Sequence, residues 1–209
     1  MAFLVVLIAM IAYLLGNING AVVVSKFLAK EDVRKKGSGN AGLTNYIRNY
    51  GAGSSVLVIA IDVLKAVVAC WFGGWLLGIY GYHDEGLALG ALGVILGHDF
   101  PMLLGFKGGK GILCGFTVAL VLDWRIALFI LAVFVIVFAV TRYVSLGSVL
   151  ASAGFAVGFA VLHYDNVYIL VGGVFLGLLA LWMHRSNILR LVKGQETKTH
   201  LIHRDLNKQ

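Results

Sequence analysis

Charge is what this sequence has least of. Only 13% of its 209 residues are Asp, Glu, Lys or Arg, whereas a water-soluble domain of this length needs about a quarter to cover its surface. With 60% hydrophobic residues and a mean hydropathy of +0.91, much of the chain must have lipid as its solvent. Proline is all but missing. Pro101 stands alone beside 27 glycines, which excludes a collagen-like or Pro-rich disordered chain and suits closely packed membrane helices. Cysteine is scarce as well. Cys70 and Cys114 lie in apolar runs without metal-ligand spacing, so they read as small core hydrophobes and not as a disulfide framework or zinc site. Nor is there a basic stripe interleaved with stacking aromatics, so the formal charge of +7 does not point to nucleic acid.

What is present is a series of apolar segments. A hydrocarbon core of about 30 Å takes roughly 20 residues of helix, and the segments fall at about 3–27, 53–80, 86–98, 111–122, 126–141, 147–163 and 167–184. The start, Met1 to Leu15, lacks a basic region and a small-residue cleavage pattern and reads as a retained first span. If all seven cross with the N-terminus outside, 15 of the 17 Lys and Arg residues face the cytoplasm, and only Arg125 lies in an external turn. That asymmetry is what the positive-inside rule expects. The sequence therefore predicts an all-α integral membrane protein of one domain, 1–209. It has seven transmembrane helices, with the N-terminus outside and the C-terminus cytoplasmic. Two helices, 86–98 and 111–122, are short. Lys65 is the one basic residue well inside a span, one helical turn from Asp62 and able to pair with it. An intramembrane ion pair is a functional candidate by default; a structural pair is the favoured reading.

Three polar segments on the predicted cytoplasmic side carry the chemistry. Gly37 to Gly51 reads GSGNAGLTNYIRNYG. Glycines 37, 39 and 42 let backbone approach a ligand, Ser38, Asn40, Thr44 and Asn45 offer hydrogen bonds, and Arg48 adds a fork suited to phosphate. Backbone N–H groups running into a helix make an anion cradle. Gly97 to Ile112 reads GHDFPMLLGFKGGKGI, where Lys107 and Lys110 bracket Gly108 and Gly109 and converge on one anion. It is not a Walker A loop, because Leu104 and Gly111 stand at the first glycine and the Ser/Thr positions. His98 and Asp99 sit at the membrane border. His184 to Glu196 reads HRSNILRLVKGQE, and His184 with Asn187 is expected as a hydrogen-bonding pair on one helical face. A smaller cluster joins Arg142 to Ser145 and Ser148.

Paired carboxylates for acid–base work are poorly supplied, and no metal cluster is apparent. A His-x4-Asp match, His200 to Asp205, lies in a polar tail and is treated as coincidence. A transporter would need cationic or polar groups deep within spans, and only Asp62 and Lys65 answer to that. A lipid phosphatase or head-group transferase of another kind would need an acidic metal cluster or a histidine motif that is missing.

The four segments together resemble the bacterial acyl-phosphate:glycerol-3-phosphate acyltransferase family. The likeness rests on GSGN...GxTNxxR (Gly37 to Arg48), GHxFPxxLxFKGGKG (Gly97 to Gly111), RYVSLGS (Arg142 to Ser148) and HRxNIxRLxxGxE (His184 to Glu196), and covers essentially the whole chain. The resemblance implies seven helices in the bacterial inner membrane, with an active site at the cytoplasmic face. It implies acyl transfer from acyl phosphate to the 1-hydroxyl of sn-glycerol 3-phosphate, giving lysophosphatidic acid and phosphate without cofactor or metal. By position, Lys107, Ser145, His184 and Arg48 are the expected catalytic residues. The expected binding residues are Ser38, Gly39, Asn40, Thr44, Asn45, His98, Gly108, Gly109, Lys110, Arg142 and Asn187. No base is obvious, and the acceptor's own phosphate is the expected proton acceptor. Ala41 and Leu43 depart from the family's usual proline and alanine. The partners are the two substrates and the bilayer; oligomeric state is left open, a monomer being compatible.

Overall fold

The computed structural model describes residues 1–198; the His200–Asp205 match lies outside them. Among the described residues all regular structure is helical. Ten α-helices run α1 (Ala2–Asn17), α2 (Gly20–Leu28), α3 (Leu43–Tyr50), α4 (Ser55–Gly78), α5 (His83–Asp99), α6 (Ile112–Leu122), α7 (Trp124–Thr141), α8 (Val144–Leu162), α9 (Val167–Met183) and α10 (Arg185–Val192), with 3₁₀ turns at Val33–Lys35 and Met102–Leu104. The outer faces are apolar: Phe3, Trp71, Trp75, Ile136 and Val140 are all exposed. A surface of that kind is stable only against lipid. Five helical units are long and apolar enough to cross a membrane, or six if the bent pair α9–α10 counts as one span.

Helices therefore stand at all the expected apolar segments in order, with differences. The segment 86–98, expected to be short, belongs to a longer helix. α5 has 17 residues, and with its following turn it forms a 22-residue apolar unit, half of whose best window is buried. Its glycines lower its hydropathy but serve packing. A Cβ on Gly73 of α4 would stand 2.1 Å from Gly86 O, and one on Gly90 2.2 Å from Ala69 O, so α4 and α5 touch backbone to backbone, as small residues permit in membranes. α6 is short as expected. Its 11 residues reach about 16 Å, half of a hydrocarbon core.

The first apolar segment is not one helix but two, broken at Ile18–Asn19. Helix ends strand polar backbone groups that lipid cannot satisfy, and buried side chains of α4 satisfy these. Lys65 donates from Nζ to Ile18 O at 2.8 Å and to Gly16 O at 3.3 Å. Asp62 accepts from Gly20 N at 3.1 Å, while Asn19 caps α2 by accepting from Val22 N at 3.0 Å. Lys65 and Asp62 pair at 2.7 Å. The ammonium thus faces the negative end of α1 and the carboxylate the positive end of α2, the favourable sense for both helix dipoles. This supports the structural reading of the ion pair.

Candidate active site

α3, α6, α8 and α10 begin around one cavity of about 450 Å³. Gly42–Leu43–Thr44, Gly111–Ile112–Leu113, Val144–Ser145 and His184 with Asn187 line it. None of these four helices has a side-chain hydrogen bond capping its first turn. The starts of α3, α6 and α8 therefore leave N–H groups without a side-chain partner and set about half a positive charge each beside the cavity. α10 follows α9 directly, with His184 N bonded back to Ala180 O and Leu181 O. Arg48, Lys110 and Arg190 add cations to the same wall. Deeper, Phe116, Ile130, Leu131, Phe134, Phe155 and Leu176 make an apolar lining. A polar, positive mouth thus leads into an apolar interior.

Of the residues singled out in the sequence, Ser38, Asn40, Thr44, Asn45, Arg48, His98, Lys110, Ser145, His184 and Asn187 all line this cavity. Gly39, Lys107, Gly108, Gly109 and Arg142 do not. Lys107 is exposed on the loop between α5 and α6. Arg142 ends α7 in the left-handed region at φ 63 and is also exposed. Gly108 and Gly109 have a packing duty. Their Cβ atoms would fall 2.0 Å from His98 O and 2.1 Å from His98 Nε2, so only glycine lets the loop lie on the end of α5.

Several polar groups turn out to be committed internally. Asn45 is buried, and its Nδ2 donates to Val33 O, Lys36 O and Asn40 O at 3.0–3.1 Å. Its Oδ1 accepts from Ser38 N at 3.0 Å. It shapes the first polar loop from within. His98 Nδ1 lies 2.8 Å from Lys65 Nζ. An ammonium can only donate, so Nδ1 accepts and the ring proton sits on Nε2 against Gly109. The ligand atoms of Asp62, His98 and Cys114 come within 4.8 Å of one another, but the Lys65 ammonium already contacts two of them and takes the place a cation would hold.

The expected His184–Asn187 pair does not form. His184 stands at a 53° bend between α9 and α10, and its Nδ1 donates to Ala180 O at 2.8 Å. Asn187 instead accepts from Lys110 Nζ. His184 is itself the residue at the bend, and its ring turns back along α9, away from the i,i+3 alignment the spacing assumed. Glu196 then folds back, accepting from Arg190 Nε at 2.8 Å. Burial, with Arg190 nearby, holds the Lys110 ammonium down at about 8.

Two polar groups of the wall are unspent. Ser145 Oγ and both carboxyl oxygens of Asp99 are buried without a hydrogen-bond partner among the described residues. Asp99 lies beside Gly111, whose Cβ would come 3.1 Å from Oδ1; the positive start of α6 is what makes a carboxyl tolerable there. Ser148, Arg190 and Glu196 stood within the segments singled out but were given no site role, and Ser152 was missed; all four line the wall. The spacing Ser145, Ser148, Ser152 down one face of α8 was a usable signal; the return of Glu196 had none.

A helical membrane protein whose cavity has a polar mouth with cationic side chains and an apolar interior is the class these features define. The profile of the glycerol-3-phosphate acyltransferase family matches residues 6–194. A glycerol-3-phosphate acyltransferase of Thermoanaerobacter pseudethanolicus is 42% identical over 193 residues, 92% of this chain and 94% of that protein. One from Clostridioides difficile is 39% identical over 198 residues, covering 94% and 96%. Crystal structures of PlsY, an integral membrane glycerol 3-phosphate acyltransferase, superpose with TM-scores of 0.81 in the glycerol 3-phosphate form and 0.79 in the lysophosphatidic acid form. Their identities are 34% and 32%, and both cover 94% of this chain. The chain belongs to the glycerol-3-phosphate acyltransferase family.

Proposed function

We propose that this protein transfers a fatty acyl group from acyl phosphate to the 1-hydroxyl of sn-glycerol 3-phosphate, releasing lysophosphatidic acid and inorganic phosphate. The observation that carries the reading is the convergence of three uncapped helix starts and three cations on a cavity with an apolar interior. Two phosphates need more positive potential than one, and an acyl tail needs the apolar part. An acyl phosphate is a mixed anhydride, already activated, so no covalent acyl-enzyme is required. Positioned donors stabilise charge as it grows on the carbonyl oxygen and the leaving phosphate, and holding both substrates together supplies the rest.

In this reading Arg48, Ser145 and His184 are catalytic, with Ser38, Asn40, Thr44, Lys110 and Asn187 holding substrate and His98 backing the wall. Lys107 as a catalytic residue and Gly39 and Arg142 as substrate contacts rest on the resemblance alone, since they lie outside the cavity. Asn45, Gly108 and Gly109 act by shaping the loops. The phosphate of glycerol 3-phosphate accepts the hydroxyl proton; of the carboxyl groups on the wall, Asp62 is paired with Lys65 and Glu196 with Arg190. The whole chain is one domain that crosses the bacterial inner membrane seven times, counting the short α6. The N-terminus is outside and the active site cytoplasmic, as the distribution of Lys and Arg supports.

Arg48→Ala and Ser145→Ala test the assignment. Acylation of glycerol 3-phosphate should fall at least about tenfold in each, the scale of one lost hydrogen bond to a charged group, with membrane insertion intact. Wild-type rates in both would refute the site.

A further inference from the structure

Arg34 lies outside every motif segment and reads from the sequence as one more topology-setting cation between Lys30 and Lys36. Its side chain is engaged otherwise. Nη1 donates to Leu104 O at 2.8 Å and to Lys107 O at 3.1 Å, across 70 and 73 residues. Nε donates to Asp32 Oδ1 at 3.0 Å, and Nη2 donates to Asp32 Oδ2 at 2.7 Å. The planar fork is thus fixed on one edge by a carboxylate and presents the other to the loop that carries Lys107. The start of that loop is tied to α1, where Tyr13 Oη and Asn17 Oδ1 accept from Met102 N and Leu103 N at 3.1 and 3.0 Å, and its Phe106 holds a positive φ of 59. A loop in such a backbone state persists only if its surroundings determine it.

The backbone that carries Arg34 is itself held by the first polar loop. Val33 O and Lys36 O, on either side of Arg34, both accept from Asn45 Nδ2 at 3.1 Å. Asn45 also fixes Ser38 N. One segment is therefore gripped by the loop of Ser38 and grips the loop of Lys107. We propose that Arg34, oriented by Asp32, is a positioning residue that holds the Lys107 loop in register with the Gly37–Asn45 loop. The inference rests on the acyl-transfer reading for its consequence, since those loops carry the expected phosphate contacts. The pairing with Arg34 also pulls the Asp32 carboxyl down to about 2, so the clamp stays ionised throughout the working pH range.

Lysine keeps the charge, and with it any role in topology, but cannot span a carboxylate and two carbonyls at once. Purified Arg34→Lys is compared with wild type in two measurements. One is the KM for glycerol 3-phosphate with palmitoyl phosphate as donor; the other is amide hydrogen exchange over Leu104 to Gly109. The expected result is a KM raised about tenfold or more, faster exchange in that loop, and an unchanged thermal midpoint. Wild-type KM overturns the proposal, whether or not exchange changes. A raised KM with wild-type exchange also overturns it, because Arg34 would then be a ligand and not a clamp. Should Arg34→Lys fail to fold, Asp32→Asn removes the orienting carboxylate and must move both readouts in the same direction. If wild-type protein transfers no acyl group while the variant's loop exchange still rises, the failure belongs to the acyl-transfer reading and not to the clamp.

Discussion

Replacing Lys65 by methionine should cripple stability far more than a change of one surface lysine. The side chain keeps an unbranched apolar stem but loses the ammonium at its end, and the losses can be followed atom by atom. Asp62 loses the ammonium at 2.7 Å and becomes an unpaired carboxylate that is 2% exposed. Ile18 O and Gly16 O at the end of α1 lose their donor, and His98 Nδ1 loses the proton it accepts. Breaking one side of a buried pair costs about 3–5 kcal/mol. At about 2–4 °C per kcal/mol for a chain of this size, the thermal midpoint in detergent should fall on the order of 10 °C. The partner variant makes the reasoning specific. In Asp62→Asn/Lys65→Met the stranded charge is gone, while the Asn carbonyl can still accept from Gly20 N, so at least half of the loss should return. Thermal unfolding followed by intrinsic tryptophan fluorescence reads both. A midpoint for Lys65→Met within about 2 °C of wild type, or a double variant whose loss is the sum of the singles, would refute the account of the α1–α2 break.

Three further outcomes follow from other parts of the structure. Gly109→Ala places a methyl 2.1 Å from His98 Nε2, so the loop must move; acylation should drop at least about a hundredfold, an error of an ångström in positioning being enough, and equal rates would show that the loop is not held there. Because burial lowers Lys110 to about 8, its charge is full below that pH and lost as pH rises through it. The KM for glycerol 3-phosphate should therefore climb above pH 8, and Lys110→Arg should move that limb upward; a flat KM to pH 9 contradicts the reading. Stability has the opposite sign, rising between about 8 and the ordinary lysine value as the buried charge is relieved. On the opposite face, Asp123 caps α7 by accepting from Arg125 N at 2.9 Å and contacts His163 at 3.0 Å; Arg125, then His163, holds its carboxyl at about 2. Asp123→Ala should lower the thermal midpoint by a few degrees, for about 1 kcal/mol of lost cap, and leave the KM for glycerol 3-phosphate unchanged.

Much of the fold was written in local pattern. Apolar runs bounded by charged turns located the long helices, and the skew of Lys and Arg suggested their orientation. The break at Ile18–Asn19 was hidden because both flanks are apolar and the groups that satisfy it, Asp62 and Lys65, are some forty residues away. α5 looked short because glycine and the polar start at His83 depress hydropathy, although close packing against α1 and α4 is what those glycines serve. At the site, residue types and spacing picked out Ser38, Arg48, Lys110 and Ser145 on one wall. They did not separate groups that face the cavity from groups that build it. Asn45 and Gly109 look like ligand contacts in a motif, and the structure gives them bracing contacts as well. Arg34 looks like a topology signal and reaches two carbonyls of a distant loop. His184 and Asn187 failed as a pair because the bend falls at His184, whose ring turns back to Ala180 O, and nothing in HRSNILR announces it. Convergence of four helix starts on one point is a property of tertiary structure, so no single segment could reveal it.

The central claim is acyl transfer between two phosphate-bearing substrates, and the donor decides it most directly. Purified protein in detergent or lipid cubic phase is given glycerol 3-phosphate with palmitoyl phosphate or with palmitoyl-CoA, and release of phosphate and formation of lysophosphatidic acid are followed. The expected result is equimolar phosphate and lysophosphatidic acid from palmitoyl phosphate, dependent on glycerol 3-phosphate, and little product from palmitoyl-CoA. No product from palmitoyl phosphate, or equal rates from the two donors, would contradict the account.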